Sequence, residues 1–503
     1  MKETINYKKL ATLLFVAIIS IYNLIFLYQK PAAYLLCVLE IIILLAIFVC
    51  GREVDYFCCY LIFLCLSFEF AQFVREREIF NFRNLKILGV NMSIWAQLPL
   101  YIKFLFSKNL KINRPLKIGV GIFISLQLLS LVVGGFSVFV FNDNNTFALE
   151  SVYKLFFSEF AFYGCFTFGL ILGCFLSFGA KDGVQKLKNC LYLIIFGVCI
   201  QTIFSRIFSL YSWYGEFPML LVSNVSFIFP LFLLLPLYDW KNFPKPLALL
   251  VLVTNILLVC YNANGKFYLY LFIVLFIYVI KLIKMAIGNK RYIPLIFLMA
   301  CFCAVAVIAF VIFRDKYGLL SYKFDQALQL INIFDKDWFA DMSDSPKTRI
   351  VEFICIGKEL LKKPQYLLFG KGFLGTIKDY LGFFEGKIDN SLFSAAEFKI
   401  DAYYNMHESF NVIFLQNGVV GLALLVFVSI AGLFKRGRNV FVLIGTIWLL
   451  SNYGYSNCIT AVGVCFLVIG WNDYFNKKQP NKIDSESRFN GLLNNSIKKT
   501  YNK

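Results

Sequence analysis

Long apolar stretches run through almost the whole chain, and they restrict its possible folds more than any other feature. About fourteen segments are long and apolar enough for an α-helix to cross a bilayer. Hydrophobic residues make up 59% of the 503 residues, more than a soluble protein usually carries. We therefore expect an all-α integral membrane protein, a polytopic bundle of about 12–14 transmembrane helices. The predicted spans lie near residues 10–28, 32–50, 56–74, 86–106, 117–141, 154–179, 189–210, 218–237, 245–262, 266–285, 292–313, 409–433, 439–457 and 458–474.

One long polar segment interrupts this pattern and divides the chain into four parts. Residues 1–313 contain about eleven spans, residues 314–408 are polar, residues 409–474 return to the membrane, and residues 475–503 form a basic tail. The polar segment contains aromatic residues and helical periodicity, so we expect it to fold as a large helical loop. Asp344-Ser345-Pro346 is the predicted start of a helix, which Pro364 should stop.

Lysine and arginine are concentrated in alternate connections between the spans. This pattern places the N-terminus and those connections in the cytoplasm and makes the 314–408 loop extracytoplasmic. The net charge of +19 arises mostly there, so we expect contact with membrane lipids and not with nucleic acid. One connection, 75–78 with Arg83 and Lys86 nearby, disagrees with the rule, so either the early span count is wrong or these arginines meet an anionic substrate. The basic connections are Lys108–Lys117, Lys181–Lys188, Trp240–Lys245, Lys281–Arg291 and Lys435–Arg438.

Ionisable side chains inside apolar spans are costly and therefore count as functional candidates. Glu40 lies in the middle of a predicted span, and Glu69, Glu159 and Arg206 lie toward the outer ends of theirs. Glu159 and Arg206 could line a cavity at the outer leaflet, or they could form a structural ion pair between two helices. Lys266 lies at the outer end of a span, where snorkelling to the interface is the alternative to a functional role.

No sequence pattern predicts a cofactor or a metal. Most of the fifteen cysteines lie in apolar runs, where cysteine behaves as a small hydrophobe. No paired spacing of cysteine and histidine indicates a zinc site. The turn Gly370–Gly375 matches a dinucleotide-binding fingerprint, but it follows a helix and a proline between membrane helices rather than a strand. We therefore do not expect it to bind a nucleotide.

His407 is the only histidine, and it lies where the polar segment runs back into the membrane. Imidazole is the side chain whose ordinary pKa allows proton transfer near neutral pH, so His407, beside Glu408, is a candidate catalytic residue. The alternative is that it only caps a helix at the interface.

Three elements occur in an order that resembles the superfamily of O-antigen polymerases and O-antigen ligases. They are a polar turn ending in Lys266, Arg349 in a loop helix that leads to Gly370-x-Gly372, and His407 before a span that contains Gln416-Asn417-Gly418-x-x-Gly421. The resemblance covers about residues 245–435 and is closest to the polymerases. The chain differs in having Glu408 where asparagine usually follows the histidine, and Lys266 where an arginine is common.

The resemblance implies glycosyl transfer from an undecaprenyl diphosphate donor to an acceptor hydroxyl, at the periplasmic face of a bacterial inner membrane and without a metal. It gives His407 the role of general base, or of orienting the hydroxyl, and assigns Arg349 and Lys266 to the diphosphate. His407 and Arg349 are therefore the candidate catalytic residues. From their charge and position alone we add Arg206 to the diphosphate contacts, and Glu408, Glu159 and Glu69 as possible support. A chain-length regulator is a further candidate partner. Two alternatives stay open: a ligase that transfers glycan to a lipid A core, and a flippase for lipid-linked oligosaccharides. A flippase is disfavoured because the halves show no internal repeat.

Overall fold

The computed structural model describes residues 7–68, 80–88, 90–106, 114–141, 165–180, 182–214, 217–239, 243–261, 265–289, 342–384, 393, 397–398, 401–404, 406–436, 439–452 and 457–478. These residues are mostly helical. In chain order the helices are α1 (Tyr7–Ile25), α2 (Lys30–Cys50), α3 (Glu53–Leu66), α4 (Met92–Trp95), α5 (Leu98–Phe106), α6 (Arg114–Gly135), α7 (Phe166–Gly179), α8 (Gly183–Ile207), α9 (Leu234–Asp239), α10 (Lys245–Tyr261), α11 (Gly265–Asn289), α12 (Asp344–Leu360), α13 (Pro364–Phe369), α14 (Ser409–Arg436), α15 (Val440–Asn452) and α16 (Asn457–Lys478).

Short irregular elements connect some of these helices. Two antiparallel hairpins pair β1 (Lys86–Ile87) with β2 (Val90–Asn91), and β3 (Tyr211–Tyr214) with β4 (Phe217–Leu220). A π-helical turn at Phe136–Val140 extends α6, and a 3₁₀ helix at Asn224–Leu233 precedes α9.

Within the described residues, four helices are long and apolar enough to cross a bilayer, and shorter apolar helices accompany them. The four spans are Lys30–Cys50, Gly183–Ile207, Gly265–Lys284 and Ser409–Phe427. This finding agrees with an all-α membrane protein, while the total of about 12–14 spans and the four-part division of the chain stay predictions.

Helix α3 lies in the main apolar core, whereas α2 and α11 expose much of their apolar surface. Ten of the fourteen residues of α3 are buried, among them Phe57 and Phe63. In contrast, Val49 of α2 and Phe272 of α11 are more than two-thirds exposed. Exposed apolar faces of this extent are expected where a helix contacts lipid rather than water. The burial pattern therefore separates an inner helix from outer, lipid-facing helices.

The predicted span at 86–106 is not one helix, yet this segment does run along the bundle. It consists of the first hairpin followed by α4 and α5. Its contacts run antiparallel to α3: the Tyr60 hydroxyl donates to the Ser93 carbonyl over 2.8 Å, and the Tyr56 hydroxyl donates to Ala96 over 2.6 Å. Lys103 then donates to the carbonyl of Gly51 over 3.2 Å. These side chains satisfy backbone groups that a continuous helix would have satisfied internally.

The predicted span at 218–237 also differs from a regular α-helix. It begins as strand β4, continues as the 3₁₀ helix and ends as α9. Pro230 lies inside the 3₁₀ helix, and proline has no backbone N–H for the i→i−4 ladder of an α-helix. The segment is buried all the same, with Phe229 and Phe232 in the main core.

Ion pairs gather at the end of the bundle where α3 and α8 begin. Arg52 pairs with Asp182 over 2.8 Å, Lys186 contacts Asp55, and Lys188 pairs with Asp473 over 2.7 Å. Residues 182–188 of the predicted cytoplasmic connection lie at this end. The N-terminal ends of α11 and α14 lie at the opposite end, together with the described part of the polar loop.

The described part of the polar loop has its own small core. Val351, Cys355 and Ile356 of α12 pack in one cluster with Phe384 and Tyr403. Ile377 and Tyr403 exchange two backbone hydrogen bonds, of 2.9 and 3.0 Å. The predicted helix begins at Asp344, but its N-cap is Ser343, one residue before the predicted motif, and Ser343 makes no side-chain capping hydrogen bond. Pro364 follows the end of α12 and opens the short helix α13.

Candidate active site

The candidate site lies where the loop helix α12 packs against the beginning of α14. Arg349 and Glu352 are three residues apart on α12, so they share one face of the helix. The Asn411 amide, in the first turn of α14, donates to the Arg349 carbonyl over 3.0 Å. One turn further along, the rings of Phe353 and Phe414 stack with centroids 5.3 Å apart. These contacts fix the α12 face against the residues that begin α14.

Glu352 holds His407 in place. Its carboxylate is fully buried and contacts Nδ1 of the His407 ring. It also accepts the His407 backbone N–H over 3.2 Å and the Asn411 amide over 2.9 Å. A carboxylate at Nδ1 favours the tautomer that carries its proton there, which leaves the lone pair of the neutral ring on Nε2. The histidine side chain keeps 18% of its surface exposed.

Glu408 bridges two of the three cations that were expected to bind a diphosphate. One carboxylate oxygen is 2.6 Å from Nε of Arg349, and the other is 3.0 Å from Nζ of Lys266. Lys266 is almost buried, and it also donates to the Ser451 carbonyl in α15 over 3.1 Å. Glu408 therefore contacts the cations, whereas the buried carboxylate that contacts His407 belongs to Glu352.

Three segments that are far apart in the chain thus meet at one end of the bundle. Lys266 comes from the first turn of α11, Arg349 comes from α12, and His407 with Glu408 comes from the start of α14. The sequence ranked these residues as site candidates without indicating their distances. Both cations contact Glu408, whose neighbour in sequence, His407, contacts the buried Glu352.

Arg206 lies apart from this group of contacts. It is in the last turn of α8, where its guanidinium donates to the Tyr211 hydroxyl over 3.0 Å and lies 5.6 Å from the centre of the Tyr261 ring. This arginine is exposed. Its assignment to the diphosphate is therefore the least supported of the three cations. Glu69 and Glu159 lie outside the described residues, as does any pairing of Glu159 with Arg206.

Glu40 is the buried carboxyl group that the sequence placed in mid-span. It is fully buried in α2, and neither carboxyl oxygen has a hydrogen-bond partner within the part of the chain that the structure describes. It takes no part in the contacts of the candidate site.

The glycine-rich turn after α13 docks against a break in α14. Gly418 interrupts the helix with a φ of 60°, which frees backbone carbonyls of the preceding turn. The N–H of Lys371 donates to Leu415 over 2.7 Å, and the N–H of Gly372 donates to Gln416 over 3.0 Å. The turn therefore supplies donors to the broken helix, as irregular backbone at membrane depth requires.

The same turn also contacts α6, and glycines make the approach possible. The N–H of Phe373 donates to the Ser130 carbonyl over 2.9 Å. A Cβ atom on Gly372 would lie 2.0 Å from the backbone nitrogen of Gly134. Gly370-x-Gly372 and the motif that contains Gly418 thus both lie at a junction between the loop, α6 and α14. No strand–helix–strand unit accompanies them among the described residues.

A buried ion pair anchors the turn to α12. Lys371 is 3.2 Å from a carboxylate oxygen of Glu359, which the Tyr380 hydroxyl also contacts. Burial alone would raise the pKa of the Glu359 carboxyl, but Lys371, Tyr380 and Lys362 together outweigh it and lower this pKa below its usual value. Glu359 is therefore ionised at neutral pH and holds the turn electrostatically.

Glu352 and Asn411 are the site residues that the sequence analysis did not single out. The available signal for Glu352 was its spacing, because an acid three residues after Arg349 on a predicted helix must lie on the same face. The signal for Asn411 was its place four residues after His407.

Comparison with known proteins adds no further assignment. No protein-family model matches this chain, and searches of curated proteins and of solved structures find no match.

Proposed function

We propose that this protein transfers a glycan from a polyprenyl diphosphate donor to a hydroxyl of an acceptor glycan, and that it acts as a polymerase of lipid-linked repeat units. The proposal depends most on one observation. A pair of cations, Lys266 and Arg349, lies beside a histidine that a buried carboxylate, Glu352, holds at Nδ1. The resemblance of the three sequence elements to the O-antigen polymerases supplies the class of substrate.

Glycosyl transfer of this kind requires a base at the acceptor hydroxyl and positive charge at the leaving group. In the proposed step, the acceptor oxygen forms a bond to the anomeric carbon of the donor glycan, and the bond from that carbon to the phosphate oxygen breaks. His407 takes the hydroxyl proton on Nε2, and the lipid diphosphate leaves with the bonding electrons. Arg349 and Lys266 stabilise the negative charge that develops on the diphosphate.

The paired Glu352 and His407 favour transfer over transport. A flippase must also bind a lipid diphosphate, but it breaks no bond and needs no base. A ligase that delivers the glycan to a lipid A core would use the same groups, and only the acceptor would differ. The polymerase is preferred because the sequence resembles that class most closely.

The test is the length distribution of the surface glycan in cells that carry variants at matched protein levels. His407→Ala should remove the long glycan and leave single repeat units, because a general base contributes about 10²–10⁴-fold to such a step. Arg349→Ala should have the same effect through the diphosphate. Lys358→Ala is the matched control, since this exposed lysine lies on the same helix and faces away from the site. A glycan of normal length from His407→Ala would return this histidine to a capping role.

A further inference from the structure

The two cations of the candidate site already share one carboxylate of the protein, which offsets half of their charge. Each oxygen of the Glu408 carboxylate binds one of them, Arg349 over 2.6 Å and Lys266 over 3.0 Å. The three side chains are partly shielded from water, with 35%, 10% and 25% of the surface exposed for Arg349, Lys266 and Glu408. Partly buried cations without an anion would be costly, so an anion is needed here whenever no ligand is bound.

We propose that Glu408 occupies the place of the donor's diphosphate in the resting protein, and that the donor binds by displacing it. This inference rests on the proposed function. A carboxylate and a phosphate both accept bonds from guanidinium and ammonium groups through two adjacent oxygens. The position of the Glu408 oxygens therefore marks where the phosphate oxygens bind.

Displacement requires only a movement of the Glu408 side chain. The Glu408 carbonyl accepts the backbone N–H of Val412 over 2.9 Å, which fixes its backbone to the first turn of α14. The neighbouring His407 is held separately through Glu352. Rotation about the side-chain bonds of Glu408 can therefore vacate the cations without moving the base.

This arrangement makes Glu408 a specificity-determining residue. A ligand with a single negative charge gains no binding free energy by displacing Glu408, because one singly charged anion then only takes the place of another. A diphosphate carries more charge and contacts both cations, so it offsets the loss of the two internal ion pairs. Neutral sugars and simple carboxylates are excluded because they cannot offset the loss of these two ion pairs.

The experiment measures ligand binding to the purified full-length protein in detergent, with inorganic pyrophosphate, farnesyl diphosphate and acetate as probes. Glu408→Gln should bind pyrophosphate at least about tenfold more tightly than the wild type, because the internal competitor loses its charge. It should also bind acetate measurably. Arg349→Ala introduced into Glu408→Gln should abolish this gain. Asp473→Asn is the matched control, because Asp473 is also paired with a lysine and is equally exposed, at 25%, but lies at the other end of the bundle.

Three results would overturn the inference. Unchanged or weaker pyrophosphate binding by Glu408→Gln would make Glu408 a structural clamp. Absence of binding to both proteins would mean that the cations form no anion site. Farnesyl diphosphate that binds no better than pyrophosphate would remove the lipid-linked donor as the displacing ligand. If Glu408→Gln is poorly folded, the shorter Glu408→Asp should show a smaller gain in the same direction.

These results are separable from the test of the proposed function, which depends on glycan length and not on binding. Tighter pyrophosphate binding by Glu408→Gln together with normal glycan in His407→Ala would support the displacement and refute the base. Unchanged or weaker pyrophosphate binding by Glu408→Gln together with short glycan in His407→Ala would refute the displacement and support the base.

Discussion

At the scale of single residues, Glu352 determines the geometry of the candidate site more than the histidine itself does. A fully buried carboxylate is stable only when its oxygens receive hydrogen bonds or a counter-charge. Here the donors come from His407 and Asn411, so the carboxylate fixes the ring and the start of α14 together. In the proposed reaction Glu352 is a positioning residue, because it would act through His407.

Replacing Glu352 with glutamine tests this role. The amide keeps the shape of the side chain but loses the negative charge and one acceptor oxygen, so the ring should lose its preferred tautomer. We expect the turnover number for glycan transfer to fall by about 10²-fold or more, as when a group that orients a catalytic histidine is lost. The Michaelis constant for the donor should change little, because the diphosphate contacts other residues.

Glu359→Gln is the matched control for this change. Glu359 is a largely buried acid of the same helix that pairs with Lys371 and not with His407. It should reduce the thermal stability of the protein and leave the turnover number of the folded fraction intact. Equal effects of the two substitutions on turnover would assign Glu352 a structural role only.

The sequence predicted some of these residues because their types are rare at such positions. His407 is the only histidine, and Lys266 and Arg349 are cations beside predicted helix starts. Glu352 could not be distinguished in this way from the other acids of the loop. Its role depends on a contact across 55 positions of sequence, and a single sequence contains no record of such a contact.

At the scale of elements, the candidate site depends on the junction where the loop packs against α14. The break at Gly418 exposes carbonyls that the turn at Lys371 and Gly372 satisfies. The turn follows α13, and its Lys371 pairs with Glu359 of α12. Helix α12, which carries Arg349 and Glu352, is therefore connected to α14 at two places, the candidate site and this turn. The junction therefore stabilises the packing of α12 against α14, whereas the contact that orients His407 comes from Glu352.

Gly418→Ala should disrupt this junction. The position has a φ of 60°, and an added Cβ would lie 2.6 Å from the backbone nitrogen of Gly370 and 2.6 Å from the Leu367 carbonyl oxygen. Since backbone atoms cannot move aside cheaply, we expect a strong loss of folded protein, measured as the yield of monodisperse protein in detergent. Gly357→Ala is the control, because nothing lies within 4 Å of its Cβ. It should be tolerated or slightly stabilising, by up to about 1 kcal/mol. A normal yield of folded protein from Gly418→Ala would show that folding does not depend on this junction.

The prediction of helix α12 succeeded because a helix-start motif and helical periodicity agree. Prediction failed at segment 86–106, where side-chain hydrogen bonds replace those of a helix backbone. The start of α12 follows from Asp344-Ser345-Pro346 and an amphipathic pattern. The segment 86–106 is apolar enough for a span, but Tyr56, Tyr60 and Trp95 bind its carbonyls and stabilise an irregular path. Such tertiary hydrogen bonds leave no periodic signal in the sequence.

At the scale of the whole molecule, the two ends of the bundle have different chemistry. One end gathers exposed and half-exposed ion pairs such as Arg52 with Asp182. The other end carries the Lys266, Glu408 and His407 contacts. The distribution of basic connections predicts that the first end is cytoplasmic and that the 314–408 loop is extracytoplasmic.

A reporter fusion tests this orientation. Alkaline phosphatase fused near Lys387 should be active, and a reporter that folds only in the cytoplasm should be inactive at the same position. The matched control is a fusion near Lys186, in a predicted cytoplasmic connection, where the two reporters should give the opposite result. Cytoplasmic activity at the first position would place the candidate site on the wrong face for an extracytoplasmic acceptor.

Turnover of a lipid-linked oligosaccharide by the purified protein in liposomes measures glycosyl transfer directly. We expect glycan chains to lengthen and one polyprenyl diphosphate to be released for each glycosidic bond formed. Both products should be lost together in His407→Ala and in Glu352→Gln. Movement of the intact donor across the bilayer, with no bond broken by the wild-type protein, would contradict glycosyl transfer and identify the protein as a transporter.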